Sequence, residues 1–114
     1  MQQYKVLVTD EALNDMESIY EYIAEELLVP DTAMGQYNRI ADAIESLDQM
    51  PERIKVMESE PEQSRGLRKL IVDNYAVFFF IKDDAVIVTN VLYGASDIEN
   101  RLGVIPAVFR HSGD

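Results

Sequence analysis

The chain has 114 residues, no cysteine and a formal net charge of −11. That is the length of one domain, enough to bury a core without disulfides or metals, and the lack of thiols excludes a disulfide scaffold, a thiolate nucleophile and a cysteine-ligated zinc site. The start of the chain lacks the basic and apolar pattern of a secretory signal, and the longest apolar run, Ala76 to Ile81, is too short to span a bilayer, so the chain reads as soluble and cytoplasmic.

Tyr4-Lys-Val-Leu-Val-Thr9 is rich in strand formers and is predicted to be a strand. Asp10 follows and is placed to cap a helix through its carboxylate. Leu13, Met16, Ile19, Tyr20, Ile23 and Leu27 then recur at steps of three and four, which makes one apolar stripe on a helix. Glu11, Asp15, Glu17, Glu21, Glu25 and Glu26 are expected on its solvent face. Pro30 breaks this helix, and Asp31 or Thr32 is expected to cap the next. The second stripe is Ala33, Tyr37, Ile40, Ala41, Ile44 and Leu47, ending near Met50-Pro51. Two amphipathic helices with a short connection form an antiparallel hairpin, which needs an apolar surface to cover.

Residues 51–66 have no clean period and hold Pro51, Pro61 and Gly66. A loop of that length in a compact domain is usually functional or mobile. Three strands follow. Leu67 to Val72 leads into an Asp73-Asn74 turn. Tyr75 to Lys82 is nearly all apolar, as a strand buried on both faces would be. Asp83-Asp84 turns into Ala85 to Tyr93, and Gly94 ends that strand. Ile98, Arg101 and Leu102 suggest a short helical turn, and Val104 to Phe109 is an apolar tail interrupted by Pro106. The fold class is therefore α+β. It has an N-terminal strand, a helical hairpin and a three-stranded antiparallel meander, all in one mixed four-stranded sheet with helices on one face. Residues 1–103 are expected to form the single domain and 104–114 a C-terminal tail.

The charge is unevenly spread. Residues 10–62 carry 15 acids against 3 bases, and residues 63–114 carry 6 of each. An acidic surface repels nucleic acid at long range and attracts basic partners. The bases that do cluster are Arg65, Arg68 and Lys69, beside the long loop. A guanidinium suits bidentate contact with phosphate. Charged residues on a strand edge equally serve to block aggregation. Alternation would set Arg68 and Lys69 on opposite faces. His111 stands in a polar tail, no cluster of histidines and carboxylates has metal-ligand spacing, and no Gly-rich phosphate loop is present, so neither metal nor cofactor is expected.

The ordered pieces Tyr4-Lys-Val-Leu-Val-Thr9, Ile19-Tyr-Glu-Tyr-Ile-Ala24, Ile44-Glu-Ser-Leu-Asp-Gln-Met-Pro51, Ser64-Arg-Gly-Leu-Arg68, Val72-Asp-Asn-Tyr-Ala-Val-Phe-Phe79 and Val91-Leu-Tyr-Gly94 with Asp97 carry a resemblance. Together they resemble the RelE/ParE family of bacterial toxins from type II toxin–antitoxin systems, also known as plasmid stabilisation proteins. The resemblance spans about residues 4–102. It implies a growth-inhibiting toxin held by a cognate antitoxin. The family contains ribosome-dependent mRNA endonucleases, DNA gyrase poisons and weak or inactive members. Carried over, its nuclease scheme points to Arg65, Arg68 and Tyr93 as catalytic candidates, and to Arg65, Arg68, Lys69 and Arg101 as contacts for nucleic acid or another target.

Three family arginines are replaced here, by Ile71 before the turn, by Ala76 after the turn tyrosine, and by Ser96 in Tyr93-Gly-Ala-Ser-Asp97. Each change removes a cation from the nuclease site, and losing one such partner costs about 10²–10³ in rate. Gyrase or an undefined target is therefore expected ahead of ribosome-bound mRNA. A non-toxic binding module that keeps its antitoxin contact is the alternative. Changing Arg65 and Arg68 together is expected to abolish toxicity and leave the fold intact.

Overall fold

The computed structural model describes residues 3–93. The helical turn near Arg101, the boundary after residue 103, Ser96, His111 and the tail 104–109 lie outside the described residues. Lys5–Val8 forms β1, Asp10–Glu21 forms α1, Pro30–Glu45 forms α2, and Arg68–Val72, Tyr75–Lys82 and Ala85–Tyr93 form β2, β3 and β4. One sheet holds the strands in the order β1-β4-β3-β2. The β2–β3 and β3–β4 pairs are antiparallel, and β1 runs parallel to β4 with Lys5 opposite Ala85 and Val8 opposite Val88. A parallel neighbour needs a long crossover, and here it starts with the helical hairpin. The α+β expectation, with helices on one face of a mixed sheet, holds.

The helix stripes build the main core. Ala12, Met16, Ile19 and Ile23 join Ala33, Ile40, Ile44 and Leu47 over Val77, Phe79, Val86, Val88 and Val91. The other face of β3 carries a smaller cluster of Met57, Leu67, Ala76, Phe78 and Leu92. Phe78 and Phe79 are thus fully buried on opposite faces, each contributing roughly 2–3 kcal/mol by burial. Both connecting turns start with an aspartate at positive φ, Asp73 and Asp83, a residue that tolerates the left-handed region.

Several sequence expectations shift in detail. The buried line of α1 runs through Ala12, Met16 and Ile19, whereas Leu13 and Leu27 are exposed. Ala12 puts a small side chain at the sheet contact, and Leu13 turns about 100° away toward α2. The cap of α1 is Thr9, not Asp10; its hydroxyl accepts the Ala12 N–H at 3.1 Å. The helix continues as a π-helical turn over Tyr22–Glu26. Pro30 is the first residue of α2, and neither Asp31 nor Thr32 caps it. A proline suits that position because its missing N–H would have no helical partner.

Asp15, expected in solvent, is buried. Its Oδ2 accepts the Val91 N–H at 3.0 Å and the Asn90 Nδ2 at 3.4 Å. The cause is a bulge in β4. Phe78 pairs with Asn90 but Phe79 pairs with Val88. One extra residue flips the side-chain phase, so that Val86 and Val88 before the bulge and Val91 after it all reach the main core. The bulge also interrupts the ladder, and the α1 carboxylate takes up a freed donor.

Residues 51–66 are held against the sheet. Pro51–Arg53 forms a 3₁₀ turn. Val56 bridges Arg68, and the Met57 N–H donates to the Leu67 carbonyl at 2.8 Å. Gly66 closes the following turn at φ +70°, a conformation that glycine adopts without a Cβ penalty. Met57 and Leu67 thereby cover the outer side of Phe78.

Candidate functional site

The loop–β2 junction sets the sequence-derived cations in three different environments. Arg65 is exposed in the turn before β2. Lys69 pairs with Phe78 and so lies on the face of the smaller cluster. Arg68 pairs with Phe79 and lies on the helix-side face. Its guanidinium donates to the Ile54 carbonyl at 2.6 Å and, more weakly, to the Glu52 carbonyl at 3.4 Å. Beside it the Tyr4 hydroxyl donates to the Glu52 carboxylate. That bond holds the Glu52 carboxyl below its usual range, with a smaller contribution from the Arg68 charge, and it pushes the Tyr4 hydroxyl up. Arg68 therefore ties the 52–54 strap to β2. Changing Arg65 and Arg68 together thus also removes a tie between the strap and β2, which bears on the expectation that the fold stays intact.

The other candidate, Tyr93, ends β4. It pairs with Tyr75, and the two rings lie 5.3 Å apart between centroids. Burial, with help from neighbouring Tyr93, Tyr22 and Asp73, pushes the Tyr75 hydroxyl up to about 12. Tyr22 and Tyr93 are both exposed, so a half-open tyrosine cluster occupies this end of the sheet. The pattern in α1 gave Tyr22 no part in it. Tyr22 stands at the junction of α1 and the π-helical turn. The neighbouring β2–β3 turn is clamped to α2: Asp73 accepts from Arg39 Nε at 2.7 Å and from Gln36 Nε2 at 3.0 Å. Those two bonds hold the Asp73 carboxyl below its usual range.

The structure does not bring Arg68 and Tyr93 together. Their partners on β3, Phe79 and Tyr75, are four residues apart, or ~13 Å along the strand. Arg65 and Lys69 sit toward the Arg68 end. Ile71 is exposed on the face that carries Lys69, opposite Ala76, and Ala76 is fully buried in the smaller cluster. Arg101 lies outside the described residues.

A strand, a helical hairpin and a meander in this order are matched by the family model for the ParE toxin of the type II toxin–antitoxin system parDE, over residues 6–98. The chain belongs to the ParE toxin family. Two solved structures share its fold. One is described as a chromosomal ParDE system from P. aeruginosa, with a TM-score of 0.68 and 20% identity, covering 81% of this chain and 97% of that one. The other is the toxin–antitoxin complex RelBE2 from Mycobacterium tuberculosis, with a TM-score of 0.56 and 19% identity, covering 80% of this chain and 98% of that one. No curated protein sequence matches the chain. No helix among the described residues of this ParE-family chain is long and apolar enough to cross a membrane.

Proposed function

We propose that this chain is the growth-inhibiting member of a two-protein module, that a cognate antitoxin neutralises it, and that gyrase or another target stands ahead of ribosome-bound mRNA. The observation that carries the order of targets is the separation of Arg68 from Tyr93. Metal-free RNA cleavage needs a base, an acid and cations around one phosphate. Here the Arg68 guanidinium is engaged by the carbonyls of Ile54 and Glu52, and an apolar Ala76 stands where the family's nucleases carry a cation. The acidic balance of the chain also opposes approach to RNA. The antitoxin partner is supported by the family match and by fold neighbours that are toxin–antitoxin assemblies. Among the described residues, Arg65 and Lys69, on or near the edge strand β2, are the sequence-derived cations left to meet a target.

A second reading is a toxin-fold binding module without toxicity. The burial of Ala76 and the engagement of Arg68 favour it. Tightly induced expression of the chain alone separates the two. Growth arrest with DNA breaks supports the gyrase-type reading, and arrest with cut mRNA reverses the order of targets. Normal growth in cells that hold folded chain removes the toxin reading and leaves the binding module.

A further inference from the structure

The connection between α1 and α2 displays more apolar surface than a turn requires. Tyr22, Leu27, Leu28, Val29 and Met34 are all exposed, and Leu28 reaches 77%. Leu28 also has φ +59°, a region that a leucine enters at a cost and that glycine or asparagine would occupy more readily. The five residues before Leu27 form the π-helical turn, a departure from α geometry that recurs at functional sites. Hydrogen bonds fix the tip: the Leu27 N–H donates to the Tyr22 carbonyl at 3.1 Å and the Val29 N–H to the Ile23 carbonyl at 3.2 Å. The patch is therefore presented on a defined backbone. Exposed Glu21, Glu25, Glu26 and Asp31 surround it. From Val6 to Asn38 the sequence holds no lysine or arginine.

We propose that this hairpin tip docks an amphipathic segment of a partner protein whose apolar side chains are flanked by lysines or arginines. The proposal rests on the toxin–antitoxin reading and names the chemistry of the partner's contact. Charge decides among occupants. A second copy of the chain would set carboxylates against carboxylates. Nucleic acid and an anionic bilayer would meet the same repulsion. A basic-flanked apolar segment satisfies both halves of the surface: its apolar side chains fill the centre, and its cations meet the rim. The acidic rim then speeds encounter and sets register, and Leu27, Leu28 and Met34 supply the affinity.

The test offers the full-length chain a displayed library of random peptides long enough for about four helical turns. Recovered sequences should interleave leucine, isoleucine, methionine or phenylalanine with lysine or arginine. Synthetic copies should bind the chain and lose at least about tenfold in affinity for the variant Leu27→Ser/Leu28→Asn/Met34→Ser. Asparagine is chosen at position 28 because it tolerates positive φ. Glu25→Gln/Glu26→Gln should slow association and flatten its salt dependence. Leu7→Ser/Ile71→Ser, on the sheet, should change neither. Circular dichroism and thermal unfolding establish that each variant is folded.

Recovery of no basic-flanked apolar sequences overturns the proposal, as does binding indifferent to the tip variant. Tighter binding by full-length Val104→Ser/Val108→Ser/Phe109→Ser would mean that the chain's own tail covers the tip, and a dimer lost in the tip variant would mean a second copy does; either overturns it. Growth arrest is scored separately. Peptide binding at the tip without arrest sinks the toxin reading and leaves the docking surface. Arrest with binding indifferent to the tip sinks the docking surface alone.

Discussion

Replacing Asp15 with alanine should destabilise the fold by about 3 kcal/mol, through the bulge in β4 rather than through α1 itself. The side chain is 2% exposed, and its Oδ2 accepts the Val91 N–H at 3.0 Å in a fully buried residue. A hydrogen bond to a charged acceptor contributes about 1.5–3 kcal/mol, and a buried donor left without a partner costs about 1–3 kcal/mol. These overlap, so about 3 kcal/mol is the combined figure, a large share of the ~5–15 kcal/mol that holds a domain of this size. With a urea slope of ~2 kcal/mol/M, the unfolding midpoint should fall by about 1.5 M. Asp15→Asn keeps an acceptor oxygen and the side-chain volume, and should lose only about 1 kcal/mol. Asp15→Leu should lose about as much as alanine, because the Val91 N–H is orphaned in both. Urea melts followed by circular dichroism measure all three. An alanine variant within 1 kcal/mol of the wild type at unchanged slope, or a leucine variant more stable than the wild type, would refute the reasoning that the bulge depends on this carboxylate.

Arg68→Ala should lower stability by about 1–2 kcal/mol and raise amide exchange at Met57 and Leu67, while Arg68→Lys should restore part of each, because both bonds come from the single Nη1 and an ammonium is also a donor. Unchanged exchange at both amides would show that the strap holds without the guanidinium. Tyr75 has a folded-state value raised to about 12, so its contribution is fully present below the unfolded value near 10 and is lost as pH rises toward 12. Over that window the wild type should lose up to about 2–3 kcal/mol more than Tyr75→Phe. Parallel losses in denaturant melts from pH 9 to 12 would remove Tyr75 as the cause.

The strands, both hairpin turns and the two helix stripes were legible because period and turn chemistry are written locally: Met16, Ile19, Ile40 and Ile44 point inward for the reason their spacing suggests. What escaped depends on other segments. Asp15 looks like one more solvent acid until a β-bulge some 75 residues downstream supplies a donor. The strap 51–66 has no period because it is held by single anchors, Met57, Leu67 and the Arg68 guanidinium, rather than by a repeating face. Arg68 reads as a target-binding cation for the same reason. Its acceptors are main-chain carbonyls, which no side-chain pattern reveals. The site was less legible than the fold, since Arg65, Lys69 and Tyr93 are close in sequence order to matching motifs but are parted by strand register and face. Tyr22 lies off the apolar stripe read from the sequence, so its nearness to Tyr75 shows only in the packed structure.

The order β1-β4-β3-β2 has a consequence for the birth of the molecule. Among the described strands, the last to be translated lies between two that precede it, and the first pairs with β4 alone. A nascent chain emerging from the ribosome can wind its helical hairpin early, since those contacts are local. It cannot close its sheet until residues near Tyr93 are free. Up to that moment Met16, Ile19, Ile40 and Ile44 have little of their floor to rest on, and β1 dangles. Truncation anywhere before β4 therefore yields a sticky hairpin rather than a smaller working domain. Competence arrives in one step, once β4 is free to pair.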